Sequence, residues 1–259
     1  MPEMLEVEAY RLAAEPVVGR TISTVSAPDQ WYVKGGSTPS QLVEMLPGKR
    51  VIAVRRVGKL MLVDTDGPVI GLRYGMTGRI LVDGGGPIDR LEYSSDRNDP
   101  AWDRFALSFE GGGSLVLRDP RRLGGIELDP DEDRLGPDAG VVGLAAFRKV
   151  LSGSSLALKA RLLDQNKIAG LGNLLVDDML YRAAVAPDRP VNTLAADEVA
   201  RLHKAMRRTL AILGRRGGSH TGDLQPVRMR GGHCPKDGTE LRRGDVGGRT
   251  TYWCPLHQT

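Results

Sequence analysis

The spacing of apolar positions changes character twice along the chain. Over residues 3–15 (EMLEVEAYRLAAE) they recur every three or four positions, which predicts a helix. Pro2 suits the first turn of that helix, where a missing N–H costs nothing. From residue 21 the period shortens towards two. Runs at 21–26, 50–64, 69–82, 104–110 and 114–117 read as strands. Phe105, Leu107 and Phe109 alternate with Ala106, Ser108 and Glu110, and Gly111-Gly112-Gly113 turns into the next run. Many short strands punctuated by Gly and Pro indicate a sandwich or barrel. Residues 127–140 (ELDPDEDRLGPDAG) are acidic and rich in Pro and Gly, and predict an exposed linker. Beyond it the pattern is helical, at 142–151, 156–164, 173–184 and 194–213. Residues 217–259 are Gly-rich and basic, with a hairpin expected through Gly247-Gly248. No internal repeat is visible.

Composition refines this picture in three ways. No stretch approaches the roughly 18 consecutive apolar residues of a membrane span, and the acidic start MPEMLEVEAY has no secretory character. The expectation is a soluble, cytoplasmic, monomeric protein. The net charge of +4 is unevenly spread: residues 201–259 hold 12 Lys/Arg and 4 Asp/Glu, the first 200 hold 24 and 28. A basic end on a slightly acidic body points to a polyanion partner. Both cysteines, Cys234 and Cys254, and all four histidines also lie in the last 59 residues. Two cysteines make no disulfide framework, so the cluster raises the question of a metal.

The start of the chain carries candidate chemistry. Removal of Met1 would expose the secondary amine of Pro2. A free α-amine titrates near about 7.7–8, and the positive end of a helix dipole lowers that further. A neutral amine at physiological pH can attack a sugar C1′ and form an iminium. Glu3 adjoins it and Glu6 lies one turn on, where carboxylates can move protons during ring opening and elimination. Pro-Glu at a helix start is otherwise ordinary capping chemistry.

Further segments give that start a meaning. Pro2-Glu3 followed by Glu6-Val7-Glu8 resembles the beginning of the formamidopyrimidine-DNA glycosylase/endonuclease VIII family. The likeness recurs in the family's order. Gly58-Lys59 matches the hairpin with its essential lysine. Arg73-Tyr74-Gly75-Met76-Thr77-Gly78 is similar to its loop with an intercalating Met, and Asp119-Pro120-Arg121-Arg122-Leu123-Gly124 to its second wedge loop. Residues 159–173 (KARLLDQNKIAGLGN) resemble the helix–two-turns–helix signature. Cys234 to His257, with Arg249 five residues before Cys254, follows the spacing of its zinc finger.

The resemblance implies an α+β fold. A two-sheet β-sandwich domain flanked by helices is expected over 1–126, a linker over 127–141, a helix–two-turns–helix domain over 142–217 and a zinc-finger-like β-hairpin over 218–259. It implies a bifunctional DNA glycosylase/AP lyase of base excision repair, acting on double-stranded DNA with damaged bases or abasic sites. Pro2 would be the nucleophile, with Glu3, Glu6 and Lys59 completing the catalytic set. Met76, Arg121 and Leu123 would fill the hole left by a flipped nucleotide. Arg73, Lys159, Asn173 and Arg249 would bind phosphates, Asn173 also capping its helix.

Five departures from the family pattern qualify this. Arg73 stands for a common histidine, Leu123 for a phenylalanine and Leu5 for a proline. The family's four-cysteine finger, C-x2-C-x16-C-x2-C, reads here Cys234-x2-Asp237-x16-Cys254-x2-His257, so spacing survives while two ligands change. These four residues are the expected structural zinc ligands, with His233 as an alternative fourth. Only 15 residues separate Gly218 from Cys234, too few for the long loop that covers an oxidised purine in 8-oxoguanine-specific members. The expected substrates are therefore oxidised pyrimidines. The alternatives are an 8-oxoguanine/formamidopyrimidine specialist and a non-catalytic binder of abasic or distorted DNA.

Overall fold

The helix expected at the start spans Met4–Ala14 (α1) in the computed structural model, which describes residues 2–88 and 97–259. The chain divides into two units, Met1–Glu132 and Asp133–Thr259. In the first, the expected run at 50–64 is a hairpin, Val51–Val57 (β2) and Leu60–Thr65 (β3), turning at Gly58 and Lys59. The run at 69–82 also divides. Ile70–Arg73 (β4) and Arg79–Val82 (β5) belong to different sheets, so residues 74–78 carry the chain from one to the other.

Ile22–Ser26 (β1), Asp103–Phe109 (β6), Ser114–Arg118 (β7) and Gly125–Leu128 (β8) complete two antiparallel sheets. Their orders are β1-β6-β7-β5 and β2-β3-β4-β8. Val54, Met61, Val63, Leu72 and Ile126 from one sheet and Ile80, Phe105, Leu107, Leu115 and Leu117 from the other form one buried cluster. Val7 and Tyr10 of α1 join it, so the start of the chain is part of the core. A second helix, Pro39–Met45 (α2), forms where none is expected; Thr38 and Gln41 exchange capping hydrogen bonds around Pro39.

The second unit is helical: Leu144–Leu151 (α3), Leu158–Leu163 (α4), Asn173–Ala183 (α5) and Ala196–Arg216 (α6), followed by a hairpin of Arg242–Asp245 (β9) and Thr250–Trp253 (β10). No helix among the described residues is long and apolar enough to cross a membrane.

A buried ionic network fixes the hairpin to the helices. Lys159 is fully buried; its ammonium lies 2.6 Å from Asp177 and donates to the Thr251 hydroxyl at 2.7 Å. Arg228 contacts the other Asp177 oxygen at 3.0 Å and donates to the Thr250 carbonyl at 2.8 Å. Burial pushes the Asp177 carboxyl up, against the pull of both cations. This corrects the expectation that Lys159 binds phosphate. A phosphate contact needs an ammonium at the surface, and this one is enclosed between α4, α5 and β10.

Removing one partner of a buried ion pair leaves the other charge stranded. Lys159→Met is expected to lower the unfolding free energy by about 3–5 kcal/mol in urea titrations. A loss under about 1 kcal/mol, the scale of an exposed pair, would contradict a structural role for the network.

Candidate active site

The beginning of the chain is held rather than frayed. Pro2 and Glu3 are buried, and Glu6 is 3 % exposed. Glu3 is extended (φ −106°, ψ −173°), and its N–H donates to the Glu6 carboxylate at 2.8 Å. The Glu3 carbonyl accepts the first helical bond from the Val7 N–H at 3.0 Å. Glu6 thus stabilises the helix start, which places Pro2 immediately before the positive end of α1.

Arg56 ties the same helix to the β2–β3 turn. Its guanidinium donates to Glu8 on α1 at 3.0 Å and to the Gly58 carbonyl at 2.8 Å. Gly58 has φ +59°, which a side chain would strain, and half-buried Lys59 follows it. Glu8 also pairs with Arg11 at 2.8 Å. Burial alone would raise the Glu8 carboxyl, but the two guanidiniums outweigh it and hold the group below its usual range.

The two loops matched to base-displacing wedges form one structure. The buried carboxylate of Asp119 is their hub. It accepts from the Thr77 hydroxyl (2.5 Å), the Tyr32 hydroxyl (3.2 Å) and the amides of Arg121 (3.2 Å), Leu123 (2.9 Å) and Gly124 (2.9 Å). Gly75, at φ +57°, lies against the other loop; a Cβ there would meet the Leu123 and Gly124 backbone at 2.3–2.6 Å. Tyr10 of α1 stacks on Tyr74, ring centroids 4.6 Å apart, and its hydroxyl donates to the Gly78 carbonyl at 3.3 Å. Leu123 is 49 % exposed although apolar, Arg121 is exposed and Met76 half-buried. Arg122, in the left-handed region at φ +56°, is clamped by Asp29 at 2.6 Å. Arg73 is exposed, but its guanidinium pairs with Glu127 at 2.8 Å. A phosphate would have to compete for it.

In the second unit, Gly172 rather than Asn173 caps α5. Asn173 is the first helical residue, its amide nitrogen donating to the Thr250 carbonyl at 3.3 Å and its buried side-chain oxygen having no partner among the described residues. Arg249 is exposed just after the turn glycines Gly247 and Gly248, at φ +63° and +70°. Gly247 packs on α4, where an added Cβ would meet Ala160 at 2.9 Å.

The expected metal ligands converge in part. Donor atoms of Cys234, Asp237 and Cys254 lie within 4.8 Å of one another. The Cys254 sulfur is 3.3 Å from the Asp237 carboxylate and accepts the His257 N–H at 3.2 Å. Burial pushes the Cys254 thiol up. The backbone amide of Thr239, at 2.9 Å, leads the causes that hold the Asp237 carboxyl down to about 2. The His257 ring is not in this group; its Nε2 lies 2.8 Å from the Tyr181 carbonyl and 3.0 Å from Lys236. His233 is exposed and also outside it. Two thiols and a carboxylate fit three positions of a tetrahedral zinc site.

Sequence reasoning did not single out Asp119, Tyr32, Arg56 or Asp177. Asp119 stands in the quoted loop, but its partners Tyr32 and Thr77 are distant in sequence, and only the fold brings them together.

Residues 1–126 match the family model of the formamidopyrimidine-DNA glycosylase N-terminal domain, and residues 135–222 that of its H2TH domain. The formamidopyrimidine-DNA glycosylase of Methylocella silvestris is 32% identical, covering 100% of both chains. That of Thermus thermophilus is 32% identical over 100% of this chain and 98% of its own. Among solved structures, Lactococcus lactis Fpg with abasic-site DNA superposes with a TM-score of 0.82 at 26% identity, covering 99% of each chain. The same protein with Fapy-dG-containing DNA gives 0.81 at 26% identity, again over 99% of each.

The contact at Gly75 can be separated from its dihedral cost. Gly84 also has positive φ (+84°), but open space surrounds it. Gly84→Ala should cost about 1 kcal/mol from backbone strain alone. Gly75→Ala should cost about 2 kcal/mol more, because it also overpacks the facing loop. Equal losses in urea unfolding would contradict the coupling of the two loops.

Proposed function

Because the chain belongs to the formamidopyrimidine-DNA glycosylase family, we propose that it is a base-excision DNA glycosylase and AP lyase whose nucleophile is the Pro2 amine. The observation that carries this reading is the buried start of the chain, with Pro2 fixed directly before α1. Once Met1 is removed, the helix dipole favours the neutral amine. Its nitrogen bonds to C1′ as the glycosidic bond breaks and the base leaves with the bonding pair. Glu3 protonates the opening sugar oxygen, and an iminium links Pro2 to C1′. Loss of a C2′ proton then expels the 3′ phosphate, and a second elimination expels the 5′ phosphate. Glu6 keeps Glu3 in place through its amide, and Lys59 binds phosphate or lesion from the hairpin that Arg56 secures.

Met76, Arg121 and Leu123 fill the space of the flipped nucleotide, with Asp119 keeping their loops in one arrangement. Arg73, Asn173 and Arg249 contact the backbone, so binding weakens steeply with salt. Arg73 gives up Glu127 to do so. Asn173 has a second side-chain N–H besides the one given to the Thr250 carbonyl, and the backbone amides around Gly172 lie beside it. Zinc, where bound by Cys234, Asp237 and Cys254, would cross-link the base of the hairpin; no chemical step passes through it.

Two observations bear on the lesion. The segment after α6 is short and tied down. Asp178 accepts the Asp223 amide at 2.5 Å, and a Cβ on Gly222 would meet the same carboxylate at 2.8 Å. This favours oxidised pyrimidines, since no long loop is present there to enclose a purine. The second reading, formamidopyrimidine excision, is favoured by the names of the relatives.

The test is strand cleavage of an abasic-site duplex by protein with a verified N-terminus. The wild type should nick the strand, and Pro2→Gly should reduce nicking to background while duplex affinity changes little. Unchanged nicking by Pro2→Gly would overturn the mechanism. No nicking by the wild type would leave a non-catalytic binder of abasic DNA.

A further inference from the structure

The basic bias of residues 201–259 is not exhausted by the residues assigned to DNA. Four of its 12 cations, Arg201, Lys204, Arg208 and Lys236, line a cavity of about 350 Å³ in the second unit, together with Arg182, Tyr181 and Asp223. The acids nearby are already committed. Asp223 pairs with Arg182 at 2.6 Å and Arg216 at 2.7 Å. Asp178 pairs with Arg182 at 2.6 Å. Glu198 holds Arg189 at 2.7 and 2.8 Å and reaches Arg201 only at 3.6 Å. Lys204 and Arg208 are exposed and have no carboxylate partner among the described residues. Lys236 lies over the Tyr181 ring, 5.4 Å from its centroid, beside His257.

Like charges one turn apart on a helix, as at Lys204 and Arg208, repel and weaken it. Converging them with Arg201 and Lys236 on a concavity adds to that cost, which a bound anion would relieve. Within its own unit the cavity also lies at the opposite end of α5 from Asn173. Asn173 begins α5 and Arg182 lies in its last turn, about 13 Å along the axis. Arg249 is at the hairpin tip, whereas Lys236 adjoins the Cys234 and Asp237 cluster before β9 begins.

We propose that this pocket is a second anion site, taking a ligand with two or more phosphate groups. Arginines offer paired donors to phosphate oxygens, lysines a mobile point charge. The volume lies in the range of small-ligand sites. The phosphates belong either to a free small molecule or to nucleic acid flanking the bound lesion.

Pyrophosphate is the probe, titrated calorimetrically into the full chain. One saturable site is expected, weakened at least tenfold, or about 1.4 kcal/mol, in Lys204→Ala/Arg208→Ala. Binding of a short abasic-site duplex should be unchanged in that variant. Arg242→Ala/Arg243→Ala, which removes two exposed cations elsewhere, should leave pyrophosphate affinity intact. Displacement of pyrophosphate by a long duplex identifies the source as flanking nucleic acid; no displacement identifies a free phosphate ligand, and either result supports the site. Absence of saturable binding, or equal weakening in both double variants, overturns it.

Discussion

An amine on the second residue of a chain is useful for chemistry only if that end is immobile, and chain ends usually are not. Here the constraint is met by making the end part of the core. Val7 and Tyr10 are buried among strands of both sheets, and the Glu6–Glu3 bond closes the first turn of α1. The two flanking loop systems are then referred to the same helix. Arg56 connects it to the Lys59 turn through Glu8, and Tyr10 connects it to the Met76 loop through Tyr74 and Gly78. Pro2, the Lys59 turn and the two loops joined at Asp119 therefore share one rigid reference.

Asp119 extends that logic. A buried carboxylate is costly unless hydrogen bonds satisfy it. Five donors from three separated parts of the chain converge on this one. The result is a loop held in one arrangement with the apolar Leu123 presented to solvent. The second unit uses a buried network to the same end. Lys159, Asp177 and Arg228 fasten the strand that follows Arg249, while Asn173 holds the carbonyl of Thr250. This chain retains two of the four cysteines its spacing suggests, and the ionic network anchors the hairpin through contacts that involve no metal donor.

Much of this was legible in the sequence. Alternation at Phe105–Phe109 and Gly turns gave the strands, and three-to-four spacing gave the helices, because those periods directly record which face is buried. The ordered motifs pointed to the Pro2 start, the Gly58-Lys59 turn and the two loops that Asp119 joins. The helix at Pro39–Met45 carries little periodic signal, although Thr38-Pro39-Ser40-Gln41 is a capping signature, since its apolar face is short. The division of 69–82 between two sheets was hidden, because a strand leaving one sheet for another keeps its alternation. The fate of Lys159 was hidden for a different reason. Surface and buried lysines look alike in a sequence until the carboxylate that neutralises one is located, and Asp177 lies 18 residues away.

The central claim concerns one atom, the Pro2 nitrogen. Borohydride reduction of the enzyme–DNA intermediate, followed by proteolysis and mass spectrometry, identifies the residue that carries the sugar remnant. The account predicts that the added mass sits on the N-terminal peptide at Pro2. Finding it on Lys59 or any other lysine would contradict it.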